Sequence, residues 1–237
     1  MNTTTSEKPE NIATTASIRN EYNALRVVPP FVADLISAAE TAGAWRTGIE
    51  SDKRQRGSSI NCDIYGYDEK SALAVVQVRE CRFRPGRYNQ VRKDYFLIGR
   101  TETGAVFAHP CESPARSKLA LVSPEATVRW VLARIWQCRE DDLVDIERQG
   151  DVAFVPVRSI PGDAALVPDG EAIVIRDTHR LTGTIYRTPS GTIYCSRGAR
   201  LEHTKRQHKT IKAHAGFYRV QPGLRAEVWG FSVPKGD

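Results

Sequence analysis

Four short extended segments follow one another between residues 60 and 110 and constrain the fold of this chain more than any other feature. They read INCDIYGYD, ALAVVQVRECRF, DYFLIGRT and AVFAHP, and Glu102-Thr103-Gly104 supplies a turn between the last two. Short runs of β-branched and aromatic residues separated by turns predict an antiparallel sheet. The apolar phase shifts between Val78 and Cys81, so we expect a bulge or a strand end there.

Helical patterns lie on both sides of this predicted sheet. After Pro29-Pro30, apolar residues recur at helical spacing and predict a helix from about 30 to 47. Ser123-Pro124-Glu125 is typical of a helix start, because Ser can cap, Pro fits the first position and Glu suits the positive end of the helix dipole. A shorter helix containing Leu143 and Ile146 should then end near Gly150.

The last third of the chain has β patterns. GDVAFVPV predicts a strand, GTIYRTPSGTIY predicts a hairpin around a turn containing proline, and FYRVQ and RAEVWGFSV alternate. We therefore predict an α+β protein with an N-terminal helix plus antiparallel sheet, a helical connector and a C-terminal β-rich small barrel or sandwich. The predicted divisions are a flexible tail over 1–26, an α+β unit over 27–122, the connector over 123–149 and the β-rich unit over 150–237.

Composition excludes several classes of protein. No apolar run approaches the ~18 residues of a membrane helix, and the N-terminus shows no secretory signal, so we expect a cytoplasmic protein with no membrane partner. Five scattered cysteines without a C-x-x-C pair argue against a disulfide framework and a thiolate zinc site. The sequence has no P-loop, no G-x-G-x-x-G, no G-x-S-x-G and no H-E-x-x-H. It therefore gives no support for a nucleotide-binding site, a dinucleotide-binding site or a common hydrolase active site.

The charge favours an anionic partner. Lys and Arg number 34 against 28 Asp and Glu, a net charge of +6. One basic stretch, 79–100, interleaves cations with aromatic residues, which is typical of phosphate contacts combined with base stacking. A second, 197–219, holds seven cations and the single acid Glu202. The predicted nucleic-acid contacts are Arg79, Arg82, Arg84, Arg87, Tyr88, Arg92, Lys93, Tyr95, Arg180, Arg197, Arg200, Arg206 and Lys212.

Histidines are concentrated in the β-rich unit. Four of the five lie between 179 and 214, namely His179, His203, His208 and His214. An unperturbed imidazole has a pKa near ~6.5, so both of its protonation states exist at neutral pH. Such residues can act as general acid and general base if the fold brings them together.

The segments that hold these histidines loosely resemble an uncharacterised family of bacterial and phage proteins. That family carries a Gly-Asp-Val strand, then Thr-Gly-His-x-His-Arg, then His-Glu-Glu-His-x-Pro-Ile, and finally a Gly-x-Tyr-Arg-Val strand. The resemblance covers 150–220 with gaps and supplies candidate positions rather than an activity. The matching segments are Gly150-Asp151-Val152, His179-Arg180, His208-Lys209-Thr210-Ile211 and Gly216-Phe217-Tyr218-Arg219-Val220.

The chain departs from the family pattern at two positions. Asp177 stands where the first motif has its leading histidine, and Lys205 stands where the second motif has its own. His179 is therefore the histidine that matches the first motif, and His208 is the one that matches the second.

Two chemistries suit this set of side chains. In the first, His179 and His208 cleave RNA as general base and acid without a metal, Lys209 or Lys205 steadies the charged phosphorane, and His203 is a further catalytic candidate. In the second, His179, His203 and His208 bind a divalent transition metal in a cupin-like barrel that acts on a small molecule. The cationic surroundings repel a dication and attract a phosphate, so the first is preferred.

The sequence thus predicts a protein that binds RNA or single-stranded nucleic acid, with metal-independent endoribonuclease activity as a hypothesis and no cofactor. A non-enzymatic nucleic-acid-binding subunit of a ribonucleoprotein is the first alternative, and the metal-binding protein is the second. Membership of a larger assembly or a homo-oligomer is left open.

Overall fold

A computed structural model describes residues 28–45, 59–82, 86, 90–101, 104–168, 170–206 and 208–223. The predicted tail over 1–26 and the predicted RAEVWGFSV strand lie outside these ranges. Within them the chain has a short N-terminal helix, antiparallel sheets, a helical connector and a β-rich C-terminal part. The predicted α+β fold class is confirmed.

The N-terminal sheet is an antiparallel meander whose four strands lie side by side in chain order, as the alternating segments predicted. Successive side chains of a strand point to opposite faces. Apolar residues occupy both faces of this sheet, and a helix packs on each. The strands are β1 (Ser59–Asp68), β2 (Leu73–Arg82), β3 (Gln90–Arg100) and β4 (Val106–Cys111).

The bulge predicted between Val78 and Cys81 is wrong, whereas the alternative prediction, a strand end, falls one residue from the observed end of β2 at Arg82. This part of β2 pairs without interruption with β1 and β3, and the register shift lies in β1, between Ile64 and Gly66. The apolar phase changes because Val78 faces the core beneath the first helix, whereas Cys81, three residues later, faces the other side of the sheet. A Cβ on Gly66 would lie 2.4 Å from the Pro124 carbonyl oxygen, so glycine lets the second helix approach.

The first helix, α1 (Pro30–Thr41), is shorter than the predicted 30–47. Gly43 adopts a φ of +76°, and its N–H donates to the Glu40 carbonyl while the Ala44 N–H donates to the Ala39 carbonyl. These two bonds form a Schellman ending, which satisfies the last carbonyls and stops the helix. The apolar spacing continues to the buried Trp45, but the backbone there is no longer helical.

The second helix, α2 (Pro124–Trp136), begins at the predicted residue. The Ser123 hydroxyl oxygen accepts the Ala126 N–H at 3.1 Å, which confirms the cap. The helix packs on the sheet face opposite α1 and also on a strand of the C-terminal part, so it joins the two halves through one core. The predicted shorter helix is a 3-10 helix, Glu140–Asp145, and it ends before Ile146 rather than near Gly150, because Glu147–Gln149 pair as a strand.

Two antiparallel sheets form the C-terminal part and enclose a third core. The first has six strands in the order β5 (Glu147–Gln149), β6 (Val152–Val157), β14 (Phe217–Pro222), β11 (Ile193–Ser196), β10 (Ile185–Arg187) and β7 (Ala165–Leu166). The second has four, in the order β13 (Ile211–Lys212), β12 (Arg200–His203), β9 (His179–Thr182) and β8 (Ile173–Ile175). The hairpin predicted from the repeated Gly-Thr-Ile-Tyr segments is the β10–β11 pair.

Strand β6 is buried on both faces. Val152 and Phe154 belong to the core between the two C-terminal sheets, whereas Ala153 and Val155 belong to the core around α2. Such a strand reads as a continuous apolar run, as GDVAFVPV does. Because β6 packs against a core on each face, the turn that precedes it is attached to a strand that is buried on both sides.

All five cysteines are free thiols. No helix within the described ranges is long and apolar enough to cross a membrane. The boundaries proposed at 27–122, 123–149 and 150–237 stay a prediction, although β5 already pairs with β6 of the C-terminal sheet.

Candidate functional site

Three of the four C-terminal histidines meet at one end of the third core. His179 on β9 lies directly opposite His203 on β12, and their ring centroids are 4.9 Å apart. His208, on the loop after β12, has its ring centroid 5.1 Å from that of His203. Both ring pairs are edge to face. The fourth histidine, His214, is exposed, and its Nε2 atom lies 3.5 Å from a Glu147 carboxylate oxygen.

Strand alternation explains why the first two imidazoles point inward. His179 and Leu181 on β9 are buried on one face, and Leu201 and His203 on β12 are buried on the same face. His179 is 2% exposed and His203 8% exposed, whereas His208 is half-buried. His208 is therefore the ring of the cluster nearest to solvent.

The turn between β5 and β6 closes the cluster from the other sheet. Gly150 in this turn has a φ of +56°, and a Cβ on it would lie 3.0 Å from His208 Nε2 and 3.6 Å from His179 Nε2. The two Nε2 atoms therefore border one small space beside Gly150. That space exists because residue 150 has no side chain.

A chain of polar contacts holds His179 in place. The Thr178 hydroxyl donates to the Arg176 carbonyl oxygen at 3.1 Å, and its oxygen lies 3.0 Å from His179 Nδ1. One carboxylate oxygen of Asp151 lies 3.6 Å from the same Nδ1. The other accepts from the Arg176 guanidinium, which also donates to the Gly223 carbonyl.

The backbone of the following turn holds His203. The Lys205 N–H donates to His203 Nδ1 at 3.2 Å, and the Arg206 N–H donates to the His203 carbonyl at 2.8 Å. On the same loop, the Lys209 carbonyl accepts from the Gln149 side-chain amide at 2.7 Å. These contacts connect the loop that carries His208 to β5 of the opposite sheet.

Burial favours the neutral form of the two inner imidazoles. It lowers the pKa of His179, and the neighbouring His203 and His208 lower it further, while Asp151 and a hydrogen bond with the Gln149 backbone oppose the shift. Burial also lowers the pKa of His203, together with His208 and Lys205. In both side chains the shift favours the neutral imidazole.

Buried polar atoms at this site lack a hydrogen-bond partner among the described residues. They include Nε2 of His179 and Oε1 of Gln149, each on a side chain at least 98% buried. A buried polar atom without a partner is costly and is often found where a ligand binds. In the part of the chain that the structure describes, no group of three or more His, Cys, Asp or Glu side chains is arranged to hold a metal ion.

The predicted C-terminal cations divide into two sets. Lys205, Arg206 and Lys209 are exposed on the loop that carries His208. Arg180 and Arg200 alternate with the buried residues of β9 and β12 and lie on the opposite face of that sheet, away from the imidazoles. Lys212 pairs with Arg200 in the β12–β13 ladder, and Arg197 is exposed in the turn before β12.

The predicted N-terminal contacts are described only in part. Arg84, Arg87 and Tyr88 lie outside the described residues, and Arg82 is described only as the last residue of β2. Arg79, Lys93 and Tyr95 share the sheet face that packs on α2, whereas Arg92 lies on the other face.

Intramolecular contacts already engage several of these N-terminal side chains. Arg79 lies 3.7 Å from Asp63, and Arg92 forms an ion pair with Asp94 at 2.8 Å. The Tyr95 hydroxyl accepts from the Gln77 amide, and its ring packs edge-on against Tyr65. The two basic stretches thus do not present all their side chains on one surface.

Sequence reasoning did not select four residues that shape the site, which are Gln149, Gly150, Asp151 and Thr178. The Gly-Asp pair was visible as the opening of the motif match, but nothing local indicated that it contacts histidines from the opposite sheet. Thr178 precedes His179, and only the hydrogen-bond geometry shows that the two side chains interact. Comparison of the chain with protein-family models, curated proteins and solved structures gives no match.

Proposed function

We propose that this protein binds RNA and cleaves it by general acid–base catalysis without a metal ion. The observation that carries the proposal is that the Nε2 atoms of His179 and His208 both lie beside Gly150, 3.6 Å and 3.0 Å from the position that a Cβ would take there. Two imidazoles that border one space can remove a proton on one side of a scissile phosphate and supply one on the other. Lys205, Arg206 and Lys209 add positive charge at the solvent side of the same site.

The proposed reaction uses the 2′-hydroxyl of the RNA as the nucleophile. His179 Nε2 takes the 2′-hydroxyl proton, the oxygen attacks phosphorus, and the bond from phosphorus to the 5′-oxygen breaks. The protonated form of His208 gives its proton to that leaving oxygen. The products are a 2′,3′-cyclic phosphate and a 5′-hydroxyl, and proton exchange with water resets the pair. Lys209, with Lys205 as second choice, stabilises the charge on the phosphorane.

Because His179 is buried, RNA can reach its Nε2 atom only after the surrounding segments move apart. Its Nε2 atom is closed to solvent beneath His208 and Gly150. RNA must therefore part the exposed segment around His208 from the Gly150 turn before the base can reach the 2′-hydroxyl. The cationic side chains of that segment supply the attraction to the phosphate backbone.

The metal-binding alternative has less support from these contacts. A histidine that ligates a metal through Nε2 ordinarily donates its Nδ1–H to an acceptor. His203 Nδ1 instead accepts a backbone N–H from Lys205, so its Nε2 carries the proton and offers no lone pair. His179, whose Nδ1 faces Thr178 and Asp151, is the member of the cluster that best fits a metal ligand.

Incubation of the protein with single-stranded RNA in EDTA tests the proposal. We expect fragments that end in 2′,3′-cyclic phosphate, a bell-shaped dependence of rate on pH, and no cleavage of DNA, which lacks the nucleophile. His208→Ala and His179→Gln should each lower the rate by roughly 10²- to 10⁴-fold, the usual contribution of a general acid or base. RNA binding should change little, because affinity depends mainly on Lys and Arg.

His214→Ala is the matched control, because His214 is an exposed histidine of the same unit that stands outside the cluster. It should retain full activity. Circular dichroism of each variant separates loss of catalysis from loss of fold. RNA that binds but stays intact across pH 5 to 9 would favour the non-enzymatic binding subunit, and cleavage abolished by EDTA and restored by zinc or manganese would favour the metal site.

A further inference from the structure

The hydrogen bonds around His179 and His203 determine which ring nitrogen of each carries the proton. A neutral imidazole has one N–H donor and one acceptor nitrogen, and the contacts of one nitrogen fix the role of the other. The assignment uses two contacts of the Thr178 hydroxyl and the backbone N–H of Lys205.

Thr178 has a single hydroxyl hydrogen, which it donates to the Arg176 carbonyl oxygen at 3.1 Å. At the 3.0 Å contact with His179, the hydroxyl oxygen must therefore accept, and His179 Nδ1 must carry the hydrogen. Asp151, 3.6 Å from the same nitrogen, favours that hydrogen electrostatically. The lone pair of His179 then lies on Nε2, which borders the space beside Gly150.

His203 has the opposite arrangement. Its Nδ1 accepts the Lys205 N–H at 3.2 Å, so this nitrogen carries no hydrogen and Nε2 does. His203 stands between the other two rings, with centroid distances of 4.9 Å and 5.1 Å. It therefore presents a neutral N–H donor to the centre of the cluster.

The conformation of the β8–β9 turn brings the Arg176 carbonyl oxygen within hydrogen-bond distance of the Thr178 hydroxyl. Arg176 and Asp177 both have positive φ, at 51° and 61°, and direct the Arg176 carbonyl toward the Thr178 hydroxyl. The Thr178 carbonyl in turn accepts the Thr204 N–H at 2.7 Å, just after β12. The turn that orients His179 is thereby tied to the segment that orients His203.

We infer that Thr178 is a positioning residue that makes His179 a proton acceptor, while the Lys205 backbone amide makes His203 a fixed donor for a phosphoryl oxygen. The catalytic use of this arrangement rests on the function proposed above. His179 is the base, His203 stabilises the negative charge that develops on the phosphorane, and His208 is the acid.

Nitrogen NMR of the full-length protein labelled with ¹⁵N-histidine tests the assignment without RNA. At pH 7.5 we expect His179 to show a protonated Nδ1 and an unprotonated Nε2, and His203 to show the reverse. Thr178→Val should lower the fraction of the Nδ1–H form of His179 at least several-fold, because the acceptor is removed and the shape is kept. Thr178→Ser should restore it, and Thr184→Val, at an exposed threonine between β9 and β10 that is outside these contacts, should change neither spectrum.

Cleavage assays then separate this inference from the proposed function. Thr178→Val should reduce kcat roughly tenfold and shift the basic limb of the pH profile, with KM for RNA nearly unchanged, and Thr178→Ser should recover the rate. An Nε2–H form of His179, or tautomers unaffected by Thr178→Val, would overturn the assignment whether or not RNA is cleaved. The expected tautomers in a protein that leaves RNA intact would uphold the assignment and overturn the ribonuclease proposal alone.

Discussion

At the residue scale, one glycine decides whether the imidazoles of the site can face each other. Gly150→Ala would place a Cβ 3.0 Å from His208 Nε2 at a backbone φ of +56°. A non-glycine residue in this conformation costs about 1–2 kcal/mol, and the displaced imidazole should lower RNA cleavage by roughly 10²-fold, since small errors in catalytic geometry have large effects. Urea unfolding and cleavage assays measure the two effects separately.

Gly191→Ala is the matched control for this substitution. Gly191 also has a positive φ, +85°, but a Cβ there would meet nothing within 4 Å. It should lose a similar amount of stability and keep its cleavage activity. Equal activity in the two variants would show that the space beside Gly150 has no part in catalysis.

At the element scale, the alternation of strands β9 and β12 separates cations that are neighbours in sequence. Arg180, Arg200 and Lys212 are exposed on the sheet or its edge strand, whereas Lys205, Arg206 and Lys209 lie on the loop beside His208. Changing each trio to Gln removes the same charge. Only the loop trio should reduce cleavage and lower the salt dependence of RNA binding, by a slope of about 0.7 for each phosphate that the variant no longer neutralises. Binding titrations between 50 and 300 mM salt would contradict this placement if the sheet trio had the larger effect.

At the scale of the whole molecule, the buried cluster should make global stability depend on pH. The pKa values of His179 and His203 are lowered in the folded state, so the unfolded chain, with values near ~6.5, binds more protons on acidification. The free energy of unfolding should therefore be insensitive to these groups well above pH 6.5 and fall as the pH drops from about 7 to 5. Urea denaturation across this range measures the slope, which His179→Gln with His203→Gln should flatten and His214→Ala should leave unchanged.

Several features of the fold can be predicted from the sequence because they depend on local chemistry. The strands of the first sheet, the cap at Ser123 and the β10–β11 hairpin follow from alternation, capping and turn residues, which act over a few positions. The same local reasoning placed α1 too far toward Trp45 and a bulge in the wrong strand. At the end of α1 the apolar spacing continues to Trp45 although the helix has ended, and in β2 the apolar phase changes although the strand pairing does not.

The positions of the site residues relative to one another follow from the tertiary structure and not from any local sequence pattern. Residues 150, 179, 203 and 208 meet because β5, β9 and β12 belong to two sheets that enclose one core, and no local pattern encodes the register between strands so far apart in the chain. The register of β9 against β12 sets His179 opposite His203 and turns Arg180 and Arg200 to the other face. A one-residue slip in register would exchange those faces, because side chains alternate with a period of two. The sequence therefore indicates which histidines are candidates, but it does not show that they lie together.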